Sequence, residues 1–305
     1  MRIVAMLNQK GGVGKTTSTV NLGYGLAAQG RKVLLVDLDA QANLTYSVGI
    51  AAHEVQVTIL DVLKRTKKAS EVIQSQHGVD VMPASLDLSS ADMELSGIPG
   101  RELLLREALA TVSAKYDYIL LDCPPSLGLL PLNALTAASE VFVILQTEFL
   151  ALQGVSKLVS TVEVVKSRLN PALEISGIIA TMYDARKRLS KEVIEQISAY
   201  FGPKLFKSFI RENVSLAEAP SHGKNIFSYR PDSPGAVDYK ALSKEIVSME
   251  ARYGKDASIK VGKRSIQGAV VDGGHHRGSA TINSGSKAVR KGTNAKRGDT
   301  RNAGR

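Results

Sequence analysis

Gln9-Lys10-Gly11-Gly12-Val13-Gly14-Lys15-Thr16-Thr17 decides the fold of this chain. It lies between an apolar run, Ile3 to Leu7, and a segment from Ser18 to Gln29 with helical spacing. Glycines let the backbone curl so that successive N–H groups converge on phosphate oxygens, and the helix that follows adds the positive end of its dipole. In that setting Lys15 reaches the β- and γ-phosphates, and Thr16 places a hydroxyl on Mg²⁺. The stretch reads as a P-loop, with residues 11 to 17 as the phosphate-binding set: Gly11, Gly12, Val13, Gly14, Lys15, Thr16 and Thr17. Its glycine spacing is shorter than the general pattern, and an additional lysine, Lys10, stands in front of it.

Strand-like runs recur at residues 32–37, 116–122, 140–146 and 174–183. They are continuous in Val, Ile and Leu rather than alternating with polar residues, as expected of strands covered on both faces. Between them, residues 101–114, 152–169, 190–201 and 239–253 have helical spacing and length. Gly30 stands where a helix C-cap belongs, Asn170-Pro171 stops another helix, and Gly254 closes the last pattern. The expected fold class is α/β, a mostly parallel twisted sheet flanked by helices on both faces.

Acidic residues end two of the buried strands. Asp37 and Asp39 are spaced i and i+2, which on an extended strand sends both side chains to the same side at its carboxyl end. Asp122, in Leu120-Leu121-Asp122-Cys123-Pro124-Pro125, ends a second run. The carboxyl edge of an open α/β sheet is where ligands bind.

The motif KGGVGKTT resembles the deviant P-loop shared by the ParA, Soj and MinD ATPases, the nitrogenase iron protein and their relatives. The resemblance implies ATP and Mg²⁺ as cofactors and an ATP-dependent sandwich homodimer in which Lys10 reaches the partner's nucleotide. It makes Lys10, Lys15 and Asp39 the catalytic set, with Asp39 orienting the attacking water. It gives Asp37 and Asp122, with Thr16, to the magnesium shell, partly through water. Position 40 usually holds Pro in this family and is Ala40 here.

The resemblance extends over residues 2–250. Thr181 to Arg186 and Arg211 to Lys224 resemble the Soj-like chromosomal ParA branch closely. There it implies that Met182 and Asp184 border the adenine and that Arg186, Arg211 and Lys224 contact nonspecific double-stranded DNA. Ser215 stands where members commonly carry a second Arg. The implied function is ATP-dependent chromosome or plasmid partition, with hydrolysis stimulated by a ParB-like centromere-binding partner. The implied location is the cytoplasm, on the nucleoid. The alternative is a MinD-like positioning switch acting on a protein or membrane cargo.

Composition narrows these choices. One cysteine, Cys123, among 305 residues rules out an intramolecular disulfide and argues against iron–sulfur relatives. No stretch approaches a membrane-spanning length. Met1 to Ala5 enters the strand pattern directly, so neither a leader nor an N-terminal operator-binding domain is expected. The net charge is +10, and residues 255–305, with six Lys, six Arg and three Asp, hold +9 of it. They contain no Leu, Phe, Trp, Tyr or Met, so the expected organisation is an ATPase domain over 1–254 and a disordered basic tail over 255–305. The tail lacks the apolar face of a membrane-docking helix. Truncation at Gly254 should spare ATP hydrolysis but flatten the salt dependence of DNA affinity, by about 0.9 in log–log slope for each phosphate that the tail neutralises. Equal slopes for full-length and truncated protein would leave the folded body as the DNA-binding surface.

Overall fold

In the computed structural model, residues 1–148, 151 and 154–261 are described, with side chains to residue 250. Strand β1, Arg2–Leu7, shows why its sequence is apolar throughout: Ile3, Ala5 and Leu7 enter one core layer, while Val4 and Met6 enter the other. The same two-sided burial holds for β2 (Val33–Asp37), β5 (Tyr118–Asp122), β6 (Glu140–Gln146) and β7 (Glu174–Thr181). Two short strands, β3 (Gln74–Gln76) and β4 (Val79–Met82), complete a seven-stranded sheet of order β3-β4-β2-β5-β1-β6-β7. Every pairing is parallel except the β3–β4 edge. The α/β class expected from the runs is the observed one.

The main helices are α1 (Lys15–Ala27), α2 (Leu104–Ala110), α3 (Leu129–Ala137), α4 (Val155–Arg168), α5 (Arg188–Phe201), α6 (Val214–Glu218) and α7 (Pro234–Val261). Helices α2 to α5 cover one face of the sheet, and α1 with α7 covers the other. After α1, the Gly30 N–H bonds back to the Ala27 carbonyl at 2.9 Å. Helix α7 starts earlier than its spacing suggests and runs through Gly254, because an interior glycine costs a helix only about 1 kcal/mol relative to alanine. The segment from 262 onward, most of the expected basic tail, lies outside the described residues. Among the described residues no helix is long and apolar enough to cross a membrane.

Opposite the P-loop, a polar clasp closes the other edge of the sheet. Arg2 donates twice to Glu140 at 2.6 Å and once to Tyr118 Oη at 3.1 Å, while Tyr118 and Arg31 both donate to Glu250 on α7. A bulge in β7 sets Ser176 outside the ladder, and its hydroxyl donates to Glu140 at 2.6 Å.

The next residue, Gly177, lets Phe142 and Phe206 meet edge to face at 5.2 Å above the strand. A Cβ there would lie 2.4 Å from Phe206 and 2.8 Å from Phe142. Gly177→Ala should therefore overpack the core and cost about 1–3 kcal/mol, read as a lower urea midpoint. An unchanged midpoint would mean that the ring pair yields freely.

Candidate nucleotide site

Between β1 and α1 the chain turns through Gly12 and Gly14, whose φ angles of 74° and 90° are open to glycine and strained for other residues. Gly14 occupies the N-cap of α1 without a side-chain cap, so the first N–H groups of the helix remain available to an anion. Thr181, at the end of β7, donates to the Val13 carbonyl at 2.8 Å and fastens the loop to the sheet. Val13 is itself buried, so it holds the loop while its neighbours line the cleft.

Lys15 is only 7% exposed, and its Nζ donates to the Lys10 carbonyl at 3.0 Å. Burial lowers its pKa, and the charges of Asp122 and Asp39 oppose that shift. Asp122 accepts from Thr16 at 2.6 Å and from Thr19 at 3.1 Å, which ties the first turn of α1 to the centre of the sheet. Asp37 lies beside Asp122 in the β2–β5 register. Its carboxylate accepts from the Thr45 hydroxyl at 2.7 Å, the Thr45 N–H at 2.9 Å and the Asp39 N–H at 3.1 Å.

The expectation that Asp37 and Asp39 share one side needs correcting. Strand β2 ends at Asp37, so the pleat stops and alternation no longer applies. Asp37 is fully buried against Thr45, whereas Asp39 lines the cleft and accepts from the Gln41 N–H at 3.0 Å.

A cleft of about 770 Å³ opens above the loop, lined by Gly11, Gly12, Gly14, Lys15, Thr16 and Thr17, with Asp39 across from them. It is contiguous with a second cavity of about 340 Å³, which shares Gly14, Thr17 and Met182 and adds Ile210, Asn213 and Tyr239. Met182 adopts φ 52°, a strained left-handed conformation that turns the chain at the end of β7. Asp184 lines neither cavity. Its carboxylate accepts from the Arg186 N–H and guanidinium, each at 3.0 Å, and the Arg186 side-chain bond holds its pKa down to about 2.

Lys10 is brought to the mouth of the loop but does not line the cleft. Its Nζ donates to Glu148 at 2.8 Å and to Gln146 at 3.3 Å, with half the side chain exposed. Arg186 lies almost wholly in solvent, and Arg211 is clasped by Asp238 through its N–H, Nε and Nη2. Lys224 is exposed and makes no ion pair among the described residues. Cys123 is buried and burial raises its thiol pKa, which suits a small core residue.

Sequence reasoning missed Thr19, Thr45 and Thr181. Thr19 carried a signal, since three residues after Thr16 on a helix is the same face. Thr45 and Thr181 carried none.

The residues present fit a nucleotide with its metal: glycine N–H groups, a buried ammonium, and a threonine hydroxyl already aimed at a buried carboxylate. The AAA domain family AAA_31 matches residues 1–175. The chromosome-partitioning ATPase Soj of Treponema pallidum is 47% identical over 82% of this chain and 99% of its own length. The sporulation initiation inhibitor protein Soj of Bacillus subtilis is 47% identical over 81% of this chain and 98% of its own. The chain belongs to the Soj/ParA family of ATPases.

Among solved structures, cobyrinic acid a,c-diamide synthase from Mycobacterium smegmatis with bound ATP analog and magnesium superimposes with TM-score 0.73 and 34% identity. The match covers 82% of this chain and 96% of that one. It places the fold of this Soj/ParA member among nucleotide-binding proteins.

Burial, with the neighbouring Asp37 charge, pushes the Asp122 carboxyl up to about 7, and burial pushes Asp37 up to about 6. A carboxyl raised above its ordinary 3.8 binds its proton more tightly in the folded protein, so its contribution to stability falls as pH rises through that window. Asp122→Asn removes the effect. In nucleotide-free protein the variant should gain on the wild type by on the order of 3 kcal/mol between about pH 4 and pH 7, measured by urea unfolding. A stability difference independent of pH would contradict the assignment.

Proposed function

We propose that this chain is a DNA-partitioning ATPase: ATP drives a sandwich dimer, the dimer binds DNA without sequence preference, and a ParB-like partner stimulates hydrolysis and release. The observation that carries the reading is the division between the two P-loop lysines. Lys15 is buried under the cleft, while Lys10 stands outside it on Glu148 and Gln146. A cation parked beside a phosphate site, rather than in it, suits delivery to a second subunit.

Bound ATP·Mg²⁺ supplies the transferable γ-phosphoryl group and a cation that neutralises its oxygens. The glycine N–H groups of the loop hold phosphate oxygens, and Lys15 meets the β/γ charge from the same subunit. Thr16, whose hydroxyl rests on Asp122, and the buried carboxylates of Asp122 and Asp37 behind it are the residues that would hold Mg²⁺, which would supply charge neutralisation there. Asp39, on the cleft wall, positions the attacking water and takes up its proton. Met182 and the cavity beyond it receive the base. Asp184 acts indirectly, by fixing the loop that follows Met182.

Lys10 in trans then acts as arginine fingers do, neutralising charge on the transferred group, an effect worth about 10³-fold or more in rate. The decisive measurement is ATP turnover with duplex DNA and a ParB-like protein added separately and together; synergy supports the partition reading, and its absence defeats it. Lys10→Ala should keep monomeric nucleotide binding but lose ATP-dependent dimerisation and turnover, whereas Lys15→Ala should lose nucleotide binding itself. A dimerising, fully active Lys10→Ala protein would remove the role in trans. Asp39→Ala should accumulate as an ATP-bound dimer on DNA, seen by cosedimentation. Wild-type turnover in that variant would move the water-positioning role elsewhere.

A further inference from the structure

Most of the exposed cations around α6 are already spoken for. Arg186 folds onto Asp184 at 3.0 Å, Lys187 onto Glu212 at 3.0 Å, Arg188 onto Glu192 at 2.7 Å and Arg211 onto Asp238 at 2.7 Å. Each of these pairs cancels locally, and a phosphate must compete with a carboxylate for the cation.

Arg230 is different. It follows the single helical turn Ile226–Tyr229, which Asn225 caps by accepting from the Ser228 N–H at 3.0 Å. Its Nη1 donates to the Ser215 hydroxyl on α6 at 3.3 Å, across fifteen residues of chain. Ser215 is buried and neutral, and its own N–H is held by Asn213 at 2.9 Å. The guanidinium is thus tethered without being neutralised. Among the described residues no carboxylate pairs with it: Glu218 accepts from Tyr229 Oη at 3.1 Å, and Asp232 is exposed nearby without an ion pair.

A tethered, uncompensated guanidinium in an exposed residue is prepared for an oxyanion. The planar fork can present two N–H groups to one phosphate, and a neutral tether lowers the ordering cost without offsetting the charge. We propose that Arg230, positioned by Ser215, contacts the DNA phosphate backbone together with Lys224. The inference rests on the DNA-binding reading above.

The test is affinity for a labelled nonspecific duplex in ATP and Mg²⁺, by fluorescence anisotropy over a series of salt concentrations, for wild type, Arg230→Gln and Arg230→Lys. Arg230→Gln keeps a donor for Ser215 but no charge, so affinity should drop several-fold and the log–log salt slope should flatten by about 0.9. Arg230→Lys keeps the charge and should keep the slope. A wild-type slope in Arg230→Gln would overturn the inference, as would equal losses in both variants, which would signal a structural rather than an electrostatic role. A wild type that does not bind duplex at all would overturn the DNA-binding reading and this inference with it, and the wild-type control separates that failure from the others.

Discussion

The buried carboxylate of Asp122, accepting from Thr16 and Thr19, is the contact on which the rest of the site depends. It joins the first turn of α1 to the centre of the sheet, so the P-loop is stretched between a fixed strand end and a fixed helix start. Thr181 secures the loop's far side through the Val13 carbonyl. An acid buried this completely is costly to ionise without a cation, which is why its pKa rises to about 7 and why the pocket above it favours a metal-bearing ligand. Stability is given up locally to hold a binding site ready, and the close-packed sheet around it makes that tolerable.

The opposite edge of the sheet behaves differently. Arg2, Glu140, Tyr118, Arg31 and Glu250 satisfy one another and clasp α7 against β1, β5 and β6. Near its start α7 also meets the nucleotide side, where Tyr239 and Ser18 share a hydrogen bond at 3.0 Å and Asp238 holds Arg211. One helix therefore spans both edges, anchored by polar contacts at each. The cations at the cleft mouth and around α6 sort by the same electrostatics: Lys10, Arg186 and Arg211 each lie against a carboxylate, whereas Arg230 has, among the described residues, only the neutral Ser215 hydroxyl.

Much of the fold was legible in the sequence because its central strands are buried on both faces. That burial demands uninterrupted apolar runs, and such runs are easy to read. The edge strand β3 and its neighbour β4 were not legible, β3 being three polar residues long and β4 only four residues, interrupted by Asp80. Helix α3 escaped notice because it is apolar nearly all round and shows little periodicity. Gly254 misled for the reverse reason, since a glycine is a stop signal only where the backbone actually leaves the helix.

For the site, the sequence alone determined the phosphate loop and the acids at the strand ends, because backbone curvature and charge there depend on residue type at close spacing. Tertiary structure decided everything that depends on which segments meet. It turned Asp37 inward to Thr45 and left Asp39 on the cleft wall, because the strand stops between them. It drew Lys10 onto Glu148, tied Asp184 to Arg186 and set Arg230 against Ser215. Spacing along a chain fixes which side chains share a local face, but the partner that neutralises a charge, or leaves it free, comes from wherever folding brings another segment within about 4 Å.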